Sequence, residues 1–188
     1  TVSTTSLAAL RREYDLPIIG VVGPTARAAA RCTKNGKIGL IATAASIRSG
    51  AYEAVVSREN PAGRVYGKAC PLFVPLVENG RVAGEGTYAQ LMKDEGVDTL
   101  MLGCTHYPLL SDVIGKIMGP GVTLIDSGRE AARALKTLLT ERDLLSDAPQ
   151  GDTSYFVSDT VDGFEAMASL FLRSNLKGMI QQVDIEKY

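Results

Sequence analysis

Short apolar runs and stretches of helical spacing take turns along this chain. Leu7, Leu10 and Tyr14 recur at helical spacing and predict a helix over 3–14. Residues 16–22, with Pro17-Ile18-Ile19-Gly20-Val21-Val22 at their heart, read as a short buried strand. Pro24 opens a small-residue helix running to Arg31, and Asn35-Gly36 marks a turn. Residues 37–42 predict a strand and 45–58 a helix, which Asn60-Pro61-Ala62-Gly63 ends. Residues 64–69 predict the next strand, 71–77 a helical turn and 86–95 a weak helix. Then come a strand over 98–102, a helix over 108–118 stopped by Gly119-Pro120-Gly121, and a strand over 122–125. A long helix to about 145 follows, with Glu130 placed to close a capping box on Ser127. A polar loop, a strand over 154–157 and a helix over 161–172 complete the pattern; the tail, 173–188, carries little periodicity. Such alternation predicts an α/β fold, mostly parallel sheets flanked by helices.

Composition narrows the function classes. The chain has 188 residues, a net charge of −1 and 45% hydrophobic residues. That length suits one sizeable core, or one domain with part of another. Without a basic excess, nucleic acid is not an expected partner. No apolar run approaches membrane-spanning length, so no membrane partner is expected either. Three cysteines at irregular spacing form no disulfide framework, and a single histidine with no C-x-x-C argues against a metal site. A reduced, cytoplasmic location is the simplest expectation.

The chemistry concentrates at Gly103-Cys104-Thr105-His106-Tyr107-Pro108, between the apolar run Thr99-Leu100-Met101-Leu102 and the helix after it. A strand, a tight turn and a helix present side chains at the carboxyl edge of a parallel sheet. A thiol near a helix N-terminus is favoured as thiolate. His106 shares a face with Cys104 if the turn stays extended. Thr105 offers a hydroxyl and an N–H to an anion. For an arbitrary C-x-H the bland alternative, a buried cysteine and a turn histidine, is the commoner one. Here the Gly turn and the Pro-started helix weigh toward function.

The run Leu102–Leu110 resembles the second cysteine motif of the cofactor-independent aspartate/glutamate racemases. Ala69–Glu78, Ile47–Tyr52 and Thr123–Ser127 are similar to further motifs of the glutamate racemases in particular. The resemblance covers essentially the whole chain. It implies a two-domain racemase fold with the first domain incomplete: 1–22 part of the first domain, 23–125 the second, and 126–188 a return to the first. Thr1 resembles the Thr of a Cys-Asn-Thr motif, which would put a first catalytic cysteine just upstream and make this chain the carboxyl-terminal portion of a longer protein. Asp126-Ser127-Gly128 is not the family's amino-terminal Asp-Ser-Gly motif; it starts a helix.

The resemblance implies Cys104 as one of two facing bases, with His106 assisting it and Glu78 orienting His106. On sequence alone a solvated loop carboxylate before Asn79-Gly80 is nearly as good an account of Glu78. It implies Thr43, Ser46, Thr105 and Thr1 as substrate-binding residues; helix capping alone also explains Thr43 and Ser46. The family carries a second Thr where Ser46 stands. Cys70 fits a small buried thiol, and Cys32 a surface or packing role. Arg48, Tyr52 and Tyr107 are further candidates for the cleft. Between Glu78 and Cys104 the family has a longer helix-containing segment, whereas here 80–86 runs quickly into Thr87-Tyr88.

The expected function is cofactor-independent racemisation of L-glutamate to D-glutamate for peptidoglycan, with no metal, glutamate as small-molecule partner and a possible homodimer. The alternatives are a catalytically incomplete fragment that binds ligand, an aspartate or hydantoin racemase and, more weakly, a Cys-His hydrolase.

Overall fold

The computed structural model describes residues 2–78, 92–148, 151, 153–172, 174, 176 and 178–187. Thr1 and most of the expected 86–95 helix lie outside the described residues. The chain divides into two compact units, Thr1–Leu145 and Ser146–Tyr188.

The first unit opens with two short helices, α1 (Val2–Thr5) and α2 (Leu7–Glu13), where one helix was expected. The expected strand over 16–22 does not form. Among the described residues no strand lies alongside it, and a strand needs a neighbour for its backbone groups. Instead the Arg11 guanidinium donates to the Ile18 carbonyl, and the Val21 N–H donates to Ser3 Oγ. Leu16 is largely exposed. Helix α3 (Val22–Cys32) follows, then β1 (Lys37–Ala42). The expected helix over 45–58 is two helices, α4 (Ala44–Arg48) and α5 (Ala51–Glu59). The break is at Gly50, whose φ of 63° lies in the left-handed region that glycine enters without strain.

β2 (Arg64–Ala69) leads to α6 (Phe73–Glu78). After β3 (Thr99–Leu102), one turn of 3-10 helix (Tyr107–Leu110) runs into α7 (Ser111–Met118). β4 (Thr123–Asp126) and α8 (Ser127–Glu141) close the unit. The capping box does not form. Asp126 is the N-cap, accepting from the Gly128 and Arg129 N–H groups, and Glu130 pairs with Arg133. An ionised N-cap side chain makes the stronger capping bond.

The four strands form one parallel sheet in the order β2-β1-β3-β4, as the alternation of elements predicted. Both faces are covered. Ile38, Leu40 and Ala42 of β1, with Met101 of β3 and Ile125 of β4, pack against the small residues of α3 and Val56 of α5. By the two-residue alternation of a strand, Ile41, Leu100 and Leu102 point to the other face, and all three are fully buried. α7 lies on that face, close enough that a Cβ on Gly115 would touch Leu124. Double coverage is why β1 and β3 read as unbroken apolar runs.

Asp98 ties the turn before β1 to the start of β3. Its carboxylate accepts from the Thr33 hydroxyl at 2.6 Å and from the Lys34 and Asn35 N–H groups at 2.7 and 2.8 Å. Burial pushes its pKa up, but these bonds, with one from Thr99, outweigh it and hold the carboxyl below its usual range.

In the second unit, β5 (Tyr155–Val157) pairs in parallel with β6 (Ile180–Gln182), across α9 (Val161–Leu172). The tail thus carries a strand that its weak periodicity did not predict. Val157, Ala168, Leu176 and Ile180 form its small core. Among the described residues, no helix is long and apolar enough to cross a membrane.

Candidate active site

The parallel register brings four strand ends to one edge. Ala42 stands opposite Ala69, Ile41 opposite Leu102, and Leu102 opposite Asp126. The residues just beyond are Thr43, Cys70, Gly103-Cys104 and Ser127. This carboxyl edge, where α/β sheets bind ligands, faces a cleft of about 270 Å³. Ser3, Thr43, Ser46, Tyr52, Cys104, Thr105, His106 and Ser127 are among its walls.

Gly103 sets the position of the thiol after it. Its N–H donates to the Ile41 carbonyl at 2.8 Å, so the chain leaves β3 pressed against β1. The next turn is not extended: His106 has φ −80° and ψ −27°, helical values. Cys104 and His106 meet nevertheless, with Sγ 3.9 Å from Nδ1. Thr105 Oγ1 lies 3.4 Å from the same nitrogen. On the other side of the ring, Nε2 stands 3.3 Å from Glu78 Oε1. The side chain of His106 is 23% exposed and that of Glu78 is 48% exposed, so the pair sits where solvent meets the cleft.

Tyr107 anchors this turn from below and does not face the cleft. It is fully buried, its hydroxyl donates to the Cys70 carbonyl at 2.9 Å, and its ring meets Phe73 edge-on at 5.2 Å. Arg48 is exposed and is not among the cleft walls.

Thr43 is the N-cap of α4: its Oγ1 accepts from the Ser46 N–H, while the Thr43 hydroxyl donates to Ser46 Oγ at 3.1 Å. Capping therefore accounts for part of what these two hydroxyls do, and both also line the cleft. Tyr52 is 1% exposed and reaches the cleft wall. Its pKa is pushed from 10.0 to about 12, by burial first, then by the charge of Cys104 and of Glu53. Its hydroxyl stays protonated across the pH range in which a cysteine titrates. Thr1 lies outside the described residues.

The three cysteines have different surroundings. Cys32 ends α3 away from the cleft walls. Cys70 is buried, and its Sγ donates to the Lys68 carbonyl at 3.6 Å. Burial raises its pKa from 9.0 to about 12, against a smaller lowering by Lys68. An unfolded thiol ionises near about 8.5. The folded state therefore keeps the stabilisation of a neutral buried thiol below that pH and loses it as pH rises toward about 12. The fall in urea midpoint above about pH 9 is expected to be shallower in Cys70→Ala than in the parent. At pH about 8, iodoacetamide should modify Cys104 in the folded protein and reach Cys70 only after unfolding. Equal labelling of the two thiols would contradict this.

Sequence reasoning missed Ser127, read there as a capping residue. Its signal was its place directly after the β4 strand, level with Gly103.

A family model described as Asp/Glu/Hydantoin racemase matches residues 2–135. The glutamate racemase of Geobacter metallireducens is 44% identical over 193 residues, covering 99% of this chain and 71% of the relative. That of Lactiplantibacillus plantarum is 42% identical over 182 residues, covering 92% and 66%. Among solved structures, a glutamate racemase isoform from Bacillus anthracis superposes with a TM-score of 0.85 at 35% identity, covering 97% of this chain and 70% of that one. The Francisella tularensis glutamate racemase in complex with D-glutamate gives 0.82 at 29%, covering 100% and 72%. The chain belongs to the Asp/Glu/hydantoin racemase family of amino-acid isomerases and falls among its glutamate racemases.

Proposed function

We propose that this chain carries one half of a two-base, cofactor-independent site that interconverts L- and D-glutamate. The observation that carries the reading is the Cys104–His106–Glu78 series at the carboxyl edge of the sheet. If Nε2 donates its proton to the Glu78 carboxylate, Nδ1 is left with a lone pair facing Sγ. The imidazole can then accept the thiol proton, giving a thiolate beside an imidazolium. That thiolate removes the α-proton: the C–H bond breaks, an S–H bond forms, and the electron pair spreads into the α-carboxylate. A thiol on the opposite face returns a proton, and the configuration inverts.

Of the three cysteines in the chain, only Cys104 lines this cleft. The second thiol is therefore proposed to be a cysteine outside this chain. On the same reading, Thr43, Ser46, Thr105 and Thr1 hold the substrate. Residues 23–125 form a second domain, and 1–22 and 126–188 belong to a first. The product serves peptidoglycan synthesis in the cytoplasm, and the protein pairs as a homodimer. The Francisella relative's D-glutamate complex supports glutamate as the ligand class.

The test incubates L-glutamate in deuterated water with this chain, alone and fused to the part of the Geobacter relative that it does not cover. The fusion is expected to yield D-glutamate deuterated at Cα. No D-isomer from either protein would overturn the reading. In the fusion, Glu78→Gln should slow turnover by roughly 10–100-fold, as loss of a carboxylate that orients a histidine commonly does. An unchanged rate would remove Glu78 from the site.

A further inference from the structure

Ser127 has no structural duty that accounts for its surroundings. It is 1% exposed, and its Oγ has no hydrogen-bond partner among the described residues. The capping role that its position suggests is taken by Asp126. A buried hydroxyl without a partner is unfavourable, and native proteins seldom keep one without a reason.

The fold places this hydroxyl at the reacting edge. Because Leu102 pairs with Asp126, Ser127 stands level with Gly103, one residue from Cys104, and it is part of the cleft wall. It also begins α8, a helix of 15 residues whose N-terminus favours negative charge. The described residues lining the cleft include several hydroxyls and no Lys, Arg, Asp or Glu. Hydroxyl and N–H donors are what these walls offer a ligand carboxylate, and the Ser127 hydroxyl is one with no partner among the described residues.

We infer that Ser127 is a ligand-binding residue, donating its hydroxyl to a carboxylate of the bound amino acid. This rests on the racemase reading above and adds to it the carboxyl end of β4 as part of the substrate site. The hydroxyl does not take the α-proton; it anchors the carboxylate so that Cα stays in front of Sγ.

The test compares Ser127→Ala with the parent, both in the fused protein, by calorimetric titration with L- and D-glutamate and by urea unfolding. A hydrogen bond to a charged group predicts about tenfold weaker binding or more in the variant. The urea midpoint of the free protein should hold or rise, because the substitution removes an unpaired buried oxygen. Equal affinity of parent and variant would overturn the inference and leave the racemase reading standing. So would loss of binding in step with loss of folding stability, the mark of a purely structural role. A fused parent that binds neither enantiomer would overturn both.

Discussion

Cys104→Ala is expected to abolish glutamate racemisation in the fused protein, lowering the rate by at least about 10³-fold, within the range that a positioned acid or base contributes. The reason lies in the α-proton, which is a weak acid. On the proposed reading it leaves only to a base already in contact, and of the three cysteines only Cys104 lines the cleft. His106 Nδ1 lies 3.9 Å from Sγ, and on the same reading it exchanges its proton with the thiol and not with Cα. Cys104→Ser should fare little better, because a hydroxyl stays protonated where a thiol ionises. The fold should not notice the change: Cys104 is half-buried at the cleft, so the unfolding free energy from urea titration is expected to stay within about 0.5 kcal/mol of the parent. Chiral analysis of the product and exchange of the α-proton into deuterated water read the outcome. Racemisation that persists in Cys104→Ala would end the assignment of this thiol as a base.

The second large effect is structural. Gly103→Ala is expected to cost about 3 kcal/mol of stability, the upper part of the range for overpacking a tight core. A Cβ at this position would lie 2.8 Å from Leu40 Cδ1, 2.9 Å from Ala42 Cβ and 3.0 Å from the Ile41 carbonyl oxygen. Two of these neighbours offer no escape. Ala42 has no rotamer to change, and the Ile41 carbonyl already accepts the Gly103 N–H at 2.8 Å. Relief must come from moving β3 away from β1, which displaces Sγ of Cys104 as well. Urea unfolding should therefore report the destabilisation, and turnover should fall together with it. A variant as stable as the parent would mean that the close approach of the two strands is not as described.

The two expectations concern adjacent residues with opposite signatures. Cys104→Ala separates chemistry from folding. Gly103→Ala couples them, because the same backbone contact packs the sheet and positions the thiol.

The sequence by itself determined the sheet and its reactive edge. β1 and β3 are legible as apolar runs because helices bury both faces of a parallel sheet, which removes the polar alternation. Cys104 and His106 are legible because strand, Gly turn and Pro-started helix are contiguous in the chain, although the two meet across a helical turn and not the extended one that would give them a common face. What spacing cannot reach is any contact made between distant segments. The nearness of Glu78 to His106 was available to sequence only through family resemblance; the structure supplies the 3.3 Å contact. The strand expected over 16–22 failed because β structure depends on a neighbour, and β6 escaped notice because its partner, β5, lies more than twenty residues before it. Ser127 was misassigned for the same physical reason. A serine three residues before a glutamate is a local capping pattern, and Asp126 takes the cap instead; the place of Ser127 in the cleft wall, level with Gly103, depends on the pairing of β4 with β3. Only the tertiary structure decides that pairing, since it alone sets which residues of two remote segments end level at one edge of the sheet.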